Sequence, residues 1–193
     1  MMSSTNIHKV NVATEKIILG IDPGTNVMGY GVIMVQNSKI NIIQYGVIKL
    51  DKFDDHFLRL KKIFEKVSQL LEEFMPEEVA VEAPFYGQNV QAMLKLGRAQ
   101  GVAIAAAMAK QIPVVEYAPK KVKQSVTGNG NASKEQVAAM LKNQFKLTEN
   151  PEFYDATDAL AVALCHHYQN GVITGNRSKS WSAFLKDNPN RIK

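Results

Sequence analysis

Residues 17 to 32, IILGIDPGTNVMGYGV, run five apolar positions into a single acid and then break at Pro and Gly. An unbroken stretch such as Ile17 to Ile21 is the pattern of a strand buried on both faces. An ionised carboxylate at the end of such a strand, Asp22, is costly unless it meets a metal or an opposite charge. Pro23-Gly24-Thr25 is turn chemistry, and the apolar segment Met28 to Val35 returns too soon for a crossover helix. The stretch therefore predicts an antiparallel hairpin with an acid on its first strand. Asp22 also has a plainer use, because Asp-Pro-Gly makes turns by itself.

Further elements follow from periodicity. Lys39 to Leu50 alternates as a third strand, and Asp55 to Phe74 carries helical spacing that ends before Pro76. Val79 to Val81 is a short apolar strand that again ends on an acid, Glu82. Coming after a helix, it is expected to run parallel to an earlier strand, which would bring Glu82 near Asp22. Val90 to Gln111 reads as a helix rich in Gly and Ala, able to pack against its own sheet or against a second copy. Val114 to Tyr117 predicts a fifth strand, and Pro119 to Thr127 a short basic helix. Gly128 to Asn131 reads as a mobile loop, and Ser133 to Gln136 as a capping box opening a helix from Lys134 to Phe145. The last helix is expected from Asp155 to about Tyr168, with His166 and His167 at its end.

At 193 residues and 46% apolar content the chain has room for one domain with a full core. We expect a flexible leader over 1–15, a globular domain over 16–171 and a basic tail over 172–193. The polar start lacks a signal peptide's apolar core and no run reaches the roughly 18 residues of a membrane span, so a cytoplasmic protein is expected. A single cysteine, Cys165, excludes an intramolecular disulfide and a Cys-based zinc site. The charge of +5 is segregated: residues 172 to 193 hold five bases against one acid, 51 to 82 nine acids against five bases, and 110 to 146 seven bases against two acids. Basic stretches beside an acidic site suit an enzyme of phosphodiesters.

Asp155 and Asp158 stand three apart on one helix face and repel unless a cation lies between them. They would also serve as an N-cap and a first-turn acid without any metal. Lys134 is the converse oddity, a cation in a first turn, where the helix dipole disfavours it. Four acids after two strands and at one helix start suit a hard divalent cation, Mg²⁺ or Mn²⁺. Two such ions about 4 Å apart activate water and stabilise the leaving oxygen in phosphodiester hydrolysis.

The segments ILGIDPGTNVMGYGVI, VAVEAPFYGQN, KLGRAQGVAIAAA, YAPKKVKQSVTGNG and YDATDALAVALCH, in order from about Ile17 to Tyr168, closely resemble the RuvC family of crossover junction endodeoxyribonucleases. The resemblance implies a ribonuclease-H-like fold: a mixed five-stranded sheet, three antiparallel strands then two parallel, flanked by helices. It implies a Mg²⁺-dependent homodimer that cuts two strands of a Holliday junction symmetrically, working with the branch-migration complex RuvA and RuvB. By motif, Asp22, Glu82, Asp155 and Asp158 match the catalytic acids, though some relatives have His at the third position. Phe85 matches the aromatic that probes the opened junction; Lys123 and Lys134 match basic residues implicated in DNA contact and the active site, with Lys120 and Lys121 beside them. Gln91 to Ala109 matches the dimer helix. The leader, and a tail bearing Trp181, Phe184 and Leu185, lie outside the resemblance.

Two other functions fit parts of the chain. GIDPGT followed by a second strand resembles the phosphate loop of sugar kinases and actin-like ATPases, but that fold closes two lobes on its nucleotide and 193 residues supply one. A non-catalytic junction binder would explain the basic stretch, and the four acids weigh against it.

Overall fold

The computed structural model describes residues 15–84, 89–148 and 153–173. The chain opens with three antiparallel strands, β1 (Glu15–Asp22), β2 (Val27–Gln36) and β3 (Lys39–Lys49). Helix α1 (His56–Phe74) leads to β4 (Glu78–Glu82), and α2 (Val90–Ala109) to β5 (Val114–Tyr117). Both late strands run parallel to β1, giving the order β3-β2-β1-β4-β5 and the mixed sheet expected from sequence. Helices α3 (Pro119–Thr127), α4 (Lys134–Phe145) and α5 (Phe153–Ile173) follow.

Strand alternation sorts the core into two layers. Leu19, Ile21, Met28, Val32, Val79 and Val81 face α1 and α2. Ile18, Ile33, Ala80 and Tyr117 face α3, α4 and α5. Burying β1 on both sides explains its uninterrupted apolar run. Asp55 caps α1 by accepting the Phe57 N–H at 2.6 Å, and Met75 ends it in the left-handed region at φ 45° before Pro76. The Ser133 capping box forms as expected, with Gln136 N–H on the Ser133 hydroxyl and Ser133 N–H on the Gln136 side chain.

Two expectations are corrected. Asp155 is not the N-cap of the last helix, because α5 begins at Phe153 and places Asp155 in its first turn. Nor is His166 a helix-end residue: α5 runs on to Ile173, through the start of the segment read as tail, and His166 is buried. Within the 128–131 loop, Asn131 N–H bonds Asn129 Oδ1 at 3.0 Å and Ala132 N–H bonds the Asn129 carbonyl at 3.1 Å. Helix α1 buries Ile63, Val67, Leu70 and Leu71 but leaves Phe57, Leu58 and Phe64 exposed, so its apolar face is wider than the part it buries.

Candidate active site

Asp22 closes β1, and the pairing of Ile21 with Val81 sets Glu82 beside it at the same end of β4. By alternation with Ile18 and Ala80, both acids face the α5 side of the sheet. Two glycines let α5 come down onto that face. A Cβ on Gly20 would lie 2.3 Å from the Ala159 carbonyl oxygen, and one on Gly29 2.1 Å from that of Asp155. Gly29 is the register partner of Asp22, so this close approach carries the first turn of α5, with Asp155 and Asp158, over the end of β1.

The fifth charged group comes from α4. Lys134 Nζ lies 2.8 Å from Asp158 Oδ2 and 3.5 Å from Asp155 Oδ1. Its first-turn position, unfavourable toward the helix dipole, is thus offset by two carboxylates. All four acids, Lys123 and Lys134 line one cleft of about 400 Å³. Lys120 and Lys121 do not line it; Lys121 Nζ sits 5.7 Å above the Tyr117 ring. Phe85 lies outside the described residues.

Charge crowding governs the protonation of the site. Burial, then the charges of Glu82 and Asp158, hold the Asp22 carboxyl well above its ordinary range. Glu82 is pushed up to about 7, by burial first and then by Asp158. Asp158 is also raised by burial, although its hydrogen bond to Lys134 opposes the shift. Burial would lower Lys134, but the hydrogen bond and charge of Asp158, then Asp22 and Asp155, drive it upward. The charge of Lys134 lowers Asp22 only in part, and among the described residues no hydrogen bond to the Asp22 carboxylate is found.

Two ammonium groups, Lys134 in contact and Lys123 at longer range, therefore stand against four carboxylates, and Asp22 and Glu82 remain poorly satisfied. Oxygen donors with uncompensated charge are what a hard divalent cation requires, and the donor set fits one. The cage is not closed: among the described residues no three His, Cys, Asp or Glu side chains stand at coordination spacing. Lys134 is drawn in among the acids instead.

Two positioning residues carry little or no signal in the sequence. Arg59 on α1 clamps the turn after Asp22, donating from Nε to the Phe53 carbonyl at 2.6 Å and from Nη1 to the Thr25 carbonyl at 2.9 Å. Gln100 is buried on α2 and donates to the Glu82 carbonyl at 3.2 Å. A polar residue among small apolar ones was its only signal.

Residues 18–166 match the sequence profile of the family described as Crossover junction endodeoxyribonuclease RuvC. The chain belongs to the RuvC family. A curated member from Cytophaga hutchinsonii is 59% identical over 179 residues, spanning 93% of this chain and 89% of the relative. One from Christiangramia forsetii is 51% identical over 191 residues, spanning 98% of this chain and all of the relative. Among solved structures, Thermus thermophilus RuvC in complex with Holliday junction substrate superposes with a TM-score of 0.75 at 35% identity, covering 82% of this chain and 97% of that one. The fold is the ribonuclease-H-like fold of that family.

Proposed function

We propose that the protein is a crossover junction endodeoxyribonuclease, which resolves four-way DNA junctions by paired, symmetric hydrolysis of phosphodiester bonds in recombination and repair. The observation that carries this reading is the convergence of Asp22, Glu82, Asp155 and Asp158 on one cleft beside Lys123 and Lys134, in a RuvC-family chain. Those four carboxylates would hold Mg²⁺, with Mn²⁺ as a substitute and two ions per site. Bound there, the ions supply an activated water and charge stabilisation at the leaving oxygen.

The chain's own groups do the rest. Lys134 stays protonated, since its neighbours drive its pKa up, so it acts as a fixed positive charge toward the scissile phosphate and not as a base. Lys123 adds positive charge within the cleft, and Lys120 and Lys121 extend it along α3 toward the DNA backbone. Phe85, just past Glu82, would stack on a base of the opened junction, an interaction worth roughly 1 to 3 kcal/mol.

Two symmetric cuts call for two sites, and α2 offers the surface to pair them. A Cβ on Gly97 or Gly101 would meet no atom within 4 Å, and Leu94 and Met108 are 49% and 64% exposed. That open small-residue face suits the homodimer expected through residues 91–109. Junctions would be handed on by the RuvA–RuvB complex in the cytoplasm; among the described residues no helix is long and apolar enough to cross a membrane. The test is a synthetic four-way junction with one label per strand, incubated with and without Mg²⁺. Paired nicks at symmetric positions, dependent on metal, support the reading. Binding without cleavage would instead identify a non-catalytic junction protein.

A further inference from the structure

A second polar cluster runs along α5, from Tyr117, the register partner of Glu82 on β5, to Glu78 and Lys16 at the opposite ends of β4 and β1. His166 is 1% exposed, yet both ring nitrogens are engaged. The Tyr117 O–H donates to His166 Nδ1 at 2.8 Å, and His166 Nε2–H donates to the Glu78 carboxylate. Glu78 in turn pairs with Lys16 Nζ at 2.5 Å. Burial would raise the Glu78 carboxyl, but Lys16 and His166 together bring it below its ordinary range, which keeps it an acceptor and assigns the Nε2 proton to His166. The chain of contacts therefore runs from β5 through α5 to β4 and β1.

Three of those elements, β1, β4 and α5, carry all four acids of the cleft. His166 follows Asp155 by three helical turns and lies on the same stripe of α5, about 16 Å along its axis. Between them α5 meets the sheet through Ala159 and Ala163 pressed onto Gly20 and through Leu160 over Gly31. The Ala–Gly part of that contact has shallow ridges and resists sliding weakly. Directional hydrogen bonds in a buried setting hold such a register far more sharply than methyl groups do.

Building on the proposed nuclease activity, we infer that Tyr117, His166, Glu78 and Lys16 form an axial pin, a set of positioning residues that fixes α5 along the sheet and so aligns Asp155 and Asp158 with Asp22 and Glu82 for metal binding. None of the four touches the reacting atoms. Their effect is transmitted as a displacement of α5, and misplacement of a reacting group by about 1 Å can cost a hundredfold in rate.

The test compares His166→Leu, His166→Gln and Tyr117→Phe with the wild type by Mn²⁺ titration calorimetry without DNA and by kcat and KM on a four-way junction. The pin predicts that His166→Leu weakens Mn²⁺ binding about tenfold and lowers kcat about 10- to 100-fold, with KM within about twofold of wild type. His166→Gln, whose amide can still donate to Glu78, recovers most of both losses. Tyr117→Phe keeps the ring and removes one bond, so it decides the matter with an intermediate loss even where His166→Leu fails to fold. Folded variants with wild-type Mn²⁺ affinity and kcat would overturn the pin, as would equal losses in the Leu and Gln variants. A wild type that binds Mn²⁺ but cuts no junction defeats the nuclease reading alone, and the Mn²⁺ arm still decides the pin. A wild type that binds no Mn²⁺ without DNA overturns the pin, while junction cleavage still decides the nuclease reading.

Discussion

Replacing Glu82 with Gln is expected to stabilise the metal-free protein. In the fold its carboxyl titrates at about 7, against an ordinary value of 4.5, because burial and Asp158 disfavour the charged form. The unfolded chain therefore releases this proton at lower pH than the folded one, and stability falls as pH rises between those two values. At about 1.4 kcal/mol per unit the full difference approaches about 3 kcal/mol near pH 8. Partial exposure of the residue and water in the cleft reduce this to about 2 kcal/mol. For a chain of this length that corresponds to a rise in Tm of roughly 4 to 8 °C. The assay is thermal unfolding in chelator, wild type against Glu82→Gln, near pH 8 and near pH 5. The gain should be several degrees at the higher pH and shrink to about 1 or 2 °C at the lower, where folded wild-type Glu82 holds its proton. A gain equal at both pH values, or a loss at pH 8, would refute the charge-crowding account.

Other perturbations probe the remaining parts. Lys134→Gln removes the cation that lowers Asp22, Glu82 and Asp158, so those carboxyls should rise further and the pH profile of Mg²⁺-dependent cleavage should move to higher pH. Gly29→Ala forces a methyl against the Asp155 carbonyl and should cost about 1 to 3 kcal/mol in urea unfolding while depressing cleavage. For Phe85→Ala, processing of an intact junction should fall more than that of a pre-opened one; equal losses on both substrates would count against stacking on the opened junction.

The opening stretch carried most of what could be read in advance. A doubly buried strand ending on an acid, followed by a turn and a second strand, leaves few topologies, and Glu82 repeats the pattern on the neighbouring strand. The capping box at Ser133 was legible because it is a local exchange of two hydrogen bonds. What escaped was set by distant partners. His166 looked like a polar helix end, and its burial depends on Tyr117 and Glu78, 49 and 88 residues away. Gly20 and Gly29 carry no local signal of their role, and only the descent of α5 shows that any side chain there would strike its backbone. The periodicity of α1 reported an apolar face without saying how much of it the sheet covers; Phe57 remains 72% exposed. Arg59 ties the nearby Phe53 carbonyl to that of Thr25, 34 residues away, for which no sequence pattern exists.

The central claim, that four carboxylates from β1, β4 and α5 make one metal-dependent cutting site, is tested most directly at Asp22. Single-turnover cleavage of a four-way junction should be measured across a Mg²⁺ titration for the wild type and Asp22→Asn, with junction binding measured alongside. We expect binding to persist while cleavage falls by about a hundredfold or more at every Mg²⁺ concentration. Cleavage by Asp22→Asn at the wild-type rate would contradict the account.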